Sequence, residues 1–95
     1  MKYSVGVNPE IAWTAAREAH IARHHITAAE VEQVLANRPR WSRPSRDDVT
    51  VTFGQTDAGR YLAVLTAEGE DGRTVVVTAR EMKTNERLTF RRKGR

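Results

Sequence analysis

TVVVTAREMKTNER, residues 74–87, reads as a strand that runs straight into a short basic helix. Strand side chains alternate, which puts Val75, Val77 and Ala79 on one face and Thr74, Val76, Thr78 and Arg80 on the other. Three consecutive valines predict a central strand covered on both faces. Charge takes over at Arg80. From there on, seven basic residues face only Glu81 and Glu86, a net of +5 against +4 for the whole chain. The positive charge is therefore gathered at one end, and this junction is the expected working surface.

Ninety-five residues predict one domain with a modest core and a basic tail from about Arg91. No apolar run is long enough to span a membrane, and Met1 to Glu10 lacks the apolar centre of a signal peptide. The absence of cysteine excludes disulfides and thiolate metal sites and fits a reducing, cytoplasmic setting. The basic balance favours an anionic partner, nucleic acid or an acidic protein. A membrane surface is disfavoured, because the basic end has few large apolar residues to insert.

Asn8-Pro9-Glu10 is a helix start, predicting a first helix from Pro9 to about His24. Its Ala12, Ala16 and Ala19 form a small-residue stripe for close packing; Trp13, Arg17, His20 and His24 line another side. Thr27-Ala-Ala-Glu30 is a capping box, with Ile26 and Val31 as its hydrophobic staple. The second helix buries Val31, Val34 and Leu35 and ends near Ala36. Arg38–Arg46 holds four arginines, two prolines and Trp41, and predicts a short extended or edge strand. Asp48–Gly54 and Tyr61–Ala67 predict strands, with turns at residues 56–59 and 68–72, so the sheet is an antiparallel meander. The fold class is α+β: two N-terminal helices on a three- to four-stranded antiparallel sheet, closed by the short basic helix.

His20 and His24, one turn apart, fit either a two-nitrogen metal grip, packed or solvated histidines, or proton transfer and phosphate contact. No third metal ligand is marked, and no metal or other cofactor is expected. There is no glycine-rich phosphate loop, nucleophile elbow or paired-carboxylate pattern. Histidine, arginine, lysine and glutamate suffice, however, for cleavage of RNA. Its 2′-hydroxyl is the nucleophile; the protein need only position it, move protons and neutralise phosphorane charge. At the strand–helix junction, Arg80 and Arg87 are candidates to hold the scissile phosphate, with His24 or Glu86 transferring protons. Lys83, Arg91 and Arg92 are candidate RNA contacts, or simply a solvated charged end. Trp41 among its arginines either stacks on single-stranded nucleic acid or anchors an edge strand.

HIARHHITAAEVEQVL, TDAGRYLAVL and VVVTAREMKTNERLTFRR, in that order, cover most of residues 13–92. Together they resemble the BrnT-type toxin family of bacterial type II toxin–antitoxin systems. The family's signature positions fall on Trp13, His24, Arg60, Tyr61, Arg80, Glu86 and Arg87. The resemblance implies a RelE-like fold and a metal-independent endoribonuclease, with Arg60 and Tyr61 joining the RNA-contacting set. It implies a ribbon-helix-helix antitoxin as partner, and operator DNA reached only through that antitoxin. The alternative is a non-catalytic nucleic-acid- or antitoxin-binding module of the same fold. His25 stands where the family has glycine, which puts the backbone there in question; the asparagine-containing first helix of the family is unmatched, and His20 stands in that region.

Overall fold

A meander of short turns leaves the strands no choice but to pair in sequence order. In the computed structural model, which describes residues 10–95, α1 (Ala15–Ala22) and α2 (Ala28–Ala36) precede β1 (Arg40–Pro44), β2 (Thr50–Gln55), β3 (Tyr61–Glu68) and β4 (Thr74–Glu81). The helix α3 (Thr84–Lys93) follows β4. The four strands form one antiparallel sheet in the order β1-β2-β3-β4. The α+β arrangement is the one the sequence predicts. Among the described residues, no helix is long and apolar enough to cross a membrane.

The sheet is packed on both faces. Ile21, Ile26, Val31 and Val34 of the helix pair meet Leu62, Val64, Val76 and Ala79 on one face. On the other, Phe90 of α3 and Met82 meet Val51, Phe53 and Ala63, flanked by Trp41, Tyr61 and Leu65. Gly54 lets α2 close on β2, since a Cβ there would stand 3.2 Å from both the Val34 side chain and its carbonyl oxygen.

The first helix is shorter than expected. Its N-cap is Thr14, whose hydroxyl accepts the Arg17 N–H, whereas the Asn8-Pro9 start lies outside the described residues. Glu10 to Ala12 instead run along the outer edge of β4. Ala12 N–H donates to the Thr74 carbonyl, and Thr74 N–H to that of Glu10, both at 2.8 Å. An edge strand presents unpaired backbone groups, and this extended segment supplies partners that a helix could not. The alanine stripe is accordingly not a packing face: Ala16 and Ala19 are exposed and Ala12 half-buried. Leu35 is also only half-buried.

The organising strand differs in two ways. It lies at the sheet edge, and the central strands are β2 and β3. It also carries a bulge. Thr66 pairs with Val76 and Leu65 with Thr78, which leaves Val77 as an extra residue. The extra residue resets the alternation, so Val76 and Ala79 both enter the core beneath the helices, while Val75 and Val77 are half-buried. Residues 91–93, expected as a tail, are helical, and the Arg95 and Arg40 backbones exchange hydrogen bonds of 2.9 and 3.0 Å.

The bulge makes a test. Val76→Ala should cost about 2 kcal/mol, from lost burial plus a residual cavity. Val75→Ala and Val77→Ala should each cost less than half of that. Urea denaturation of the three variants gives the ranking; strict alternation in a strand covered on both faces would give similar costs for all three.

Candidate nucleic-acid interface

The end of the sheet where β3 begins and β4 ends collects most of the residues singled out above. Leu62 pairs with Glu81, and Met82 N–H donates to the Tyr61 carbonyl at 3.0 Å. A recess of about 350 Å³ is lined by Arg23, His24, His25, Arg60 and Glu81. A smaller one of about 140 Å³ is lined by Arg60, Tyr61, Glu81, Met82 and Arg87. Arg60 and Glu81 belong to both, so the two recesses lie side by side as a groove divided by that ion pair.

The α1–α2 turn forms one wall. His25 lies in the left-handed region with φ of 60°. The His25 N–H donates to the Ala22 carbonyl at 3.0 Å and the Ile26 N–H to that of Ile21 at 3.3 Å. This is the Schellman ending, which buries Ile26 beside Ile21. The backbone therefore keeps the glycine-type conformation, and a histidine bears its steric cost. His20 turns away from the groove floor, its Nε2 3.1 Å from Thr78 Oγ1 and its ring edge-on to His24 with centroids 6.1 Å apart. Among the described residues, no group of three or more His, Asp or Glu gathers as metal ligands.

Arg60 fastens this wall to the sheet. Its Nη1 donates to the His25 carbonyl at 2.8 Å and to both Glu30 carboxylate oxygens at 3.0 Å. Its Nη2 donates to Glu81 at 3.0 Å. Glu30 also accepts the Thr27 N–H, completing the expected capping box. Burial pushes the Glu30 carboxyl up, but the hydrogen bonds from Arg60 and Thr27 outweigh it and hold the group below its ordinary value. The guanidinium is thus occupied by protein acceptors.

Arg80 and Glu86 are likewise committed to each other. The pair is bidentate, at 2.7 and 2.9 Å, and Glu86 also accepts the Lys83 N–H at 2.9 Å. It ties the start of α3 to the end of β4. The Glu86 side chain is only 13% exposed. The Arg80 hydrogen bond holds its carboxyl well ionised, below the ordinary 4.5, which makes it a weak proton acceptor. Arg80 shares a face with Ala63, its cross-strand partner, on the α3 side of the sheet, whereas His24 belongs to the opposite, helix-pair side. The structure thus does not converge these residues on one point.

Tyr61 is where free charge collects. Arg87 lies over its ring at 4.3 Å and Arg91 at 5.7 Å. The Arg91 guanidinium donates to the Tyr61 hydroxyl at 3.4 Å. That bond and the charges of Arg91 and Arg87 hold the hydroxyl below its ordinary range. Neither arginine forms an ion pair among the described residues. Lys83 and Arg92 are exposed on α3 and its cap. Arg23, His25, Glu30 and Glu81 were not singled out as site residues. Only His25 carried a signal, at a position that glycine usually fills; Glu30 and Glu81 are joined to the site by long-range contacts with Arg60, and Arg23 by lining the same recess.

His25→Gly should raise stability by about 0.5 kcal/mol, relief of left-handed strain being partly offset by glycine entropy. His25→Val should lower it by about 1 kcal/mol or more; thermal melts of both variants check the pair. The ionised carboxylates set the acid limit. Glu30 and Glu86 titrate lower in the folded chain than their ordinary 4.5. Their stabilisation is therefore complete above that value and is lost as pH falls through the folded values. Urea midpoints should fall as pH drops from 5 to 3, and Glu86→Gln should flatten that dependence while costing about 2 kcal/mol at pH 7.

No protein-family model matches the chain, and no curated protein and no solved structure gives a significant match. The site's own geometry and the three motifs are what a functional reading rests on.

Proposed function

We propose that this chain is a metal-independent endoribonuclease that cleaves single-stranded RNA by attack of the 2′-hydroxyl. It acts as the toxin of a bacterial type II toxin–antitoxin pair, held in check by a ribbon-helix-helix antitoxin through which alone it meets operator DNA. The observation that carries the RNA reading is Tyr61 with Arg87 and Arg91 over its ring, beside a groove lined by two histidines. Cations held over an aromatic ring and not answered by carboxylate suit a phosphate backbone with bases stacked along it. The toxin role and the antitoxin rest on the motif resemblance, and a cytoplasmic location follows from them.

The chemistry divides accordingly. Arg87 and Arg91 bind the RNA backbone on the α3 side, and Arg23, which shares the recess of the histidines and forms no ion pair among the described residues, stabilises the charge that grows on the oxygens of the scissile phosphate. His24 accepts the 2′-hydroxyl proton as the 2′-oxygen bonds to phosphorus. The bond to the 5′-oxygen breaks, and that oxygen takes a proton from the His25 side chain, in the same recess, or from water. A 2′,3′-cyclic phosphate and a 5′-hydroxyl result. Arg60, Arg80 and Glu86 hold the walls, and Lys83 and Arg92 add longer-range attraction. The occupied state of Arg60, Arg80 and Glu86 favours one rival, a non-catalytic RNA- or antitoxin-binding module of the same fold.

Incubation with single-stranded RNA in excess chelator separates the two. Cleavage should yield cyclic phosphate ends. His24→Gln should slow it by roughly a hundredfold with unchanged circular dichroism, and Arg87→Ala should weaken RNA binding in a salt-dependent way. A 2′-deoxy substitution at the scissile position should block it without loss of binding. Binding without cleavage by the parent protein assigns the chain to the rival. In cells, toxicity on expression should be relieved by the antitoxin gene.

A further inference from the structure

The basic segment around Trp41 is not used by the groove. Trp41 pairs with Phe53, and Phe53 with Ala63, so register puts Trp41 on the sheet face that carries α3, the face of Tyr61. The Trp41 ring is half-buried and stacks on Phe53, with centroids 5.0 Å apart and planes at 22°. Stacking anchors β1, but it does not account for the charge. The Arg43 guanidinium stands 5.9 Å from the Trp41 ring centre and 5.6 Å from that of Phe53, and Lys93 Nζ stands 5.9 Å from Trp41.

Two sets of cations differ in what answers them. Arg60, Arg73 and Arg80 each pair with a carboxylate. Arg43, Lys93, Arg87 and Arg91 form no ion pair among the described residues, and each stands over an aromatic ring. The pattern of Tyr61 is therefore repeated at Trp41, and α3 connects the two. At about 1.5 Å of rise per residue, Arg87 and Lys93 are about 9 Å apart along the helix, a span that a short oligonucleotide covers.

We infer that Trp41, Arg43 and Lys93 form a second subsite for single-stranded nucleic acid, where a base stacks on the exposed part of Trp41 and its phosphate meets the two cations. This takes its ligand class from the RNA reading above but does not depend on cleavage. The subsite is sequence-tolerant, since every base offers a π-face, and it lengthens the footprint along α3.

The test uses the full chain carrying Trp13→Phe, in which Trp41 is the remaining tryptophan. The probe is a labelled 2′-deoxy-oligouridylate of about ten nucleotides, within usual site sizes, with binding followed by label anisotropy and Trp41 emission read in parallel. Saturation should quench Trp41. Arg43→Ala combined with Lys93→Ala should weaken binding about tenfold and reduce the salt slope by about 1. Trp41→Leu should remove the stacking gain; if it does not fold, the double variant still decides. A probe that binds with Trp41 emission unchanged, and equally well to the double variant, overturns the subsite and leaves the RNA reading standing. No binding at all overturns both. Equal quenching by polyglutamate of matched charge overturns the nucleic-acid assignment in favour of an acidic protein surface.

Discussion

Three parts of the chain meet at the guanidinium of Arg60: the carbonyl of the α1–α2 turn, the capping carboxylate of α2 and the Glu81 carboxylate ending β4. Each acceptor comes from a different segment, and the Arg60 side chain joins all three at this end of the sheet. The turn is strained at His25, α2 begins at a cap, and Glu81 is the last residue of an edge strand. A bidentate, partly buried guanidinium satisfies several acceptors at fixed angles, which a lysine cannot do. The groove between the histidine turn and Tyr61 exists because Arg60 holds its two halves at a fixed separation.

Charge is sorted along the sheet. At the groove end stand Arg23, Arg60, Arg87 and Arg91; at the other, two turns carry Asp47, Asp48 and Glu68 around shallow recesses. An anionic ligand is therefore drawn to one end and turned from the other, an effect that weakens with salt. Sorting also distinguishes cations that hold the fold from cations left to meet a ligand. Arg80 with Glu86 belongs to the first kind: a half-buried pair whose geometry fixes where α3 starts, and so where Arg87 and Arg91 stand over Tyr61.

The edge position of β4 explains its irregularities. Its outer backbone groups are met near Thr74 by the extended segment at Glu10–Ala12, and α1 lies against it. A bulge at Val77 then turns Ala79 into the same core as Val76. An edge strand that bends and is partly covered resists pairing with another chain.

Local chemistry determined much of the molecule from sequence alone. The capping box at Thr27–Glu30, the staple of Ile26 and Val31, the alternation of Val51 and Phe53 and the short turns fix α2 and the meander, because each acts over a few residues. The same holds for the basic helix after Arg80. Tertiary structure decided what depends on partners distant in sequence. Periodicity cannot see a bulge, so it put Ala79 on the face of Val75 and Val77, whereas Ala79 shares a core with Val76. The capping signal at Asn8-Pro9 could not show that the edge of β4 needs Glu10–Ala12 extended. Residue type marked Arg80, Glu86 and Arg87 as candidates, and the motif resemblance added Arg60, but neither could separate them. Arg60 is held by ion pairs formed across 30 and 21 residues of chain, and Arg80 and Glu86 by the one between them across 6, whereas Arg87 is left over the Tyr61 ring. Whether a charge is structural or available is set by what the fold brings beside it.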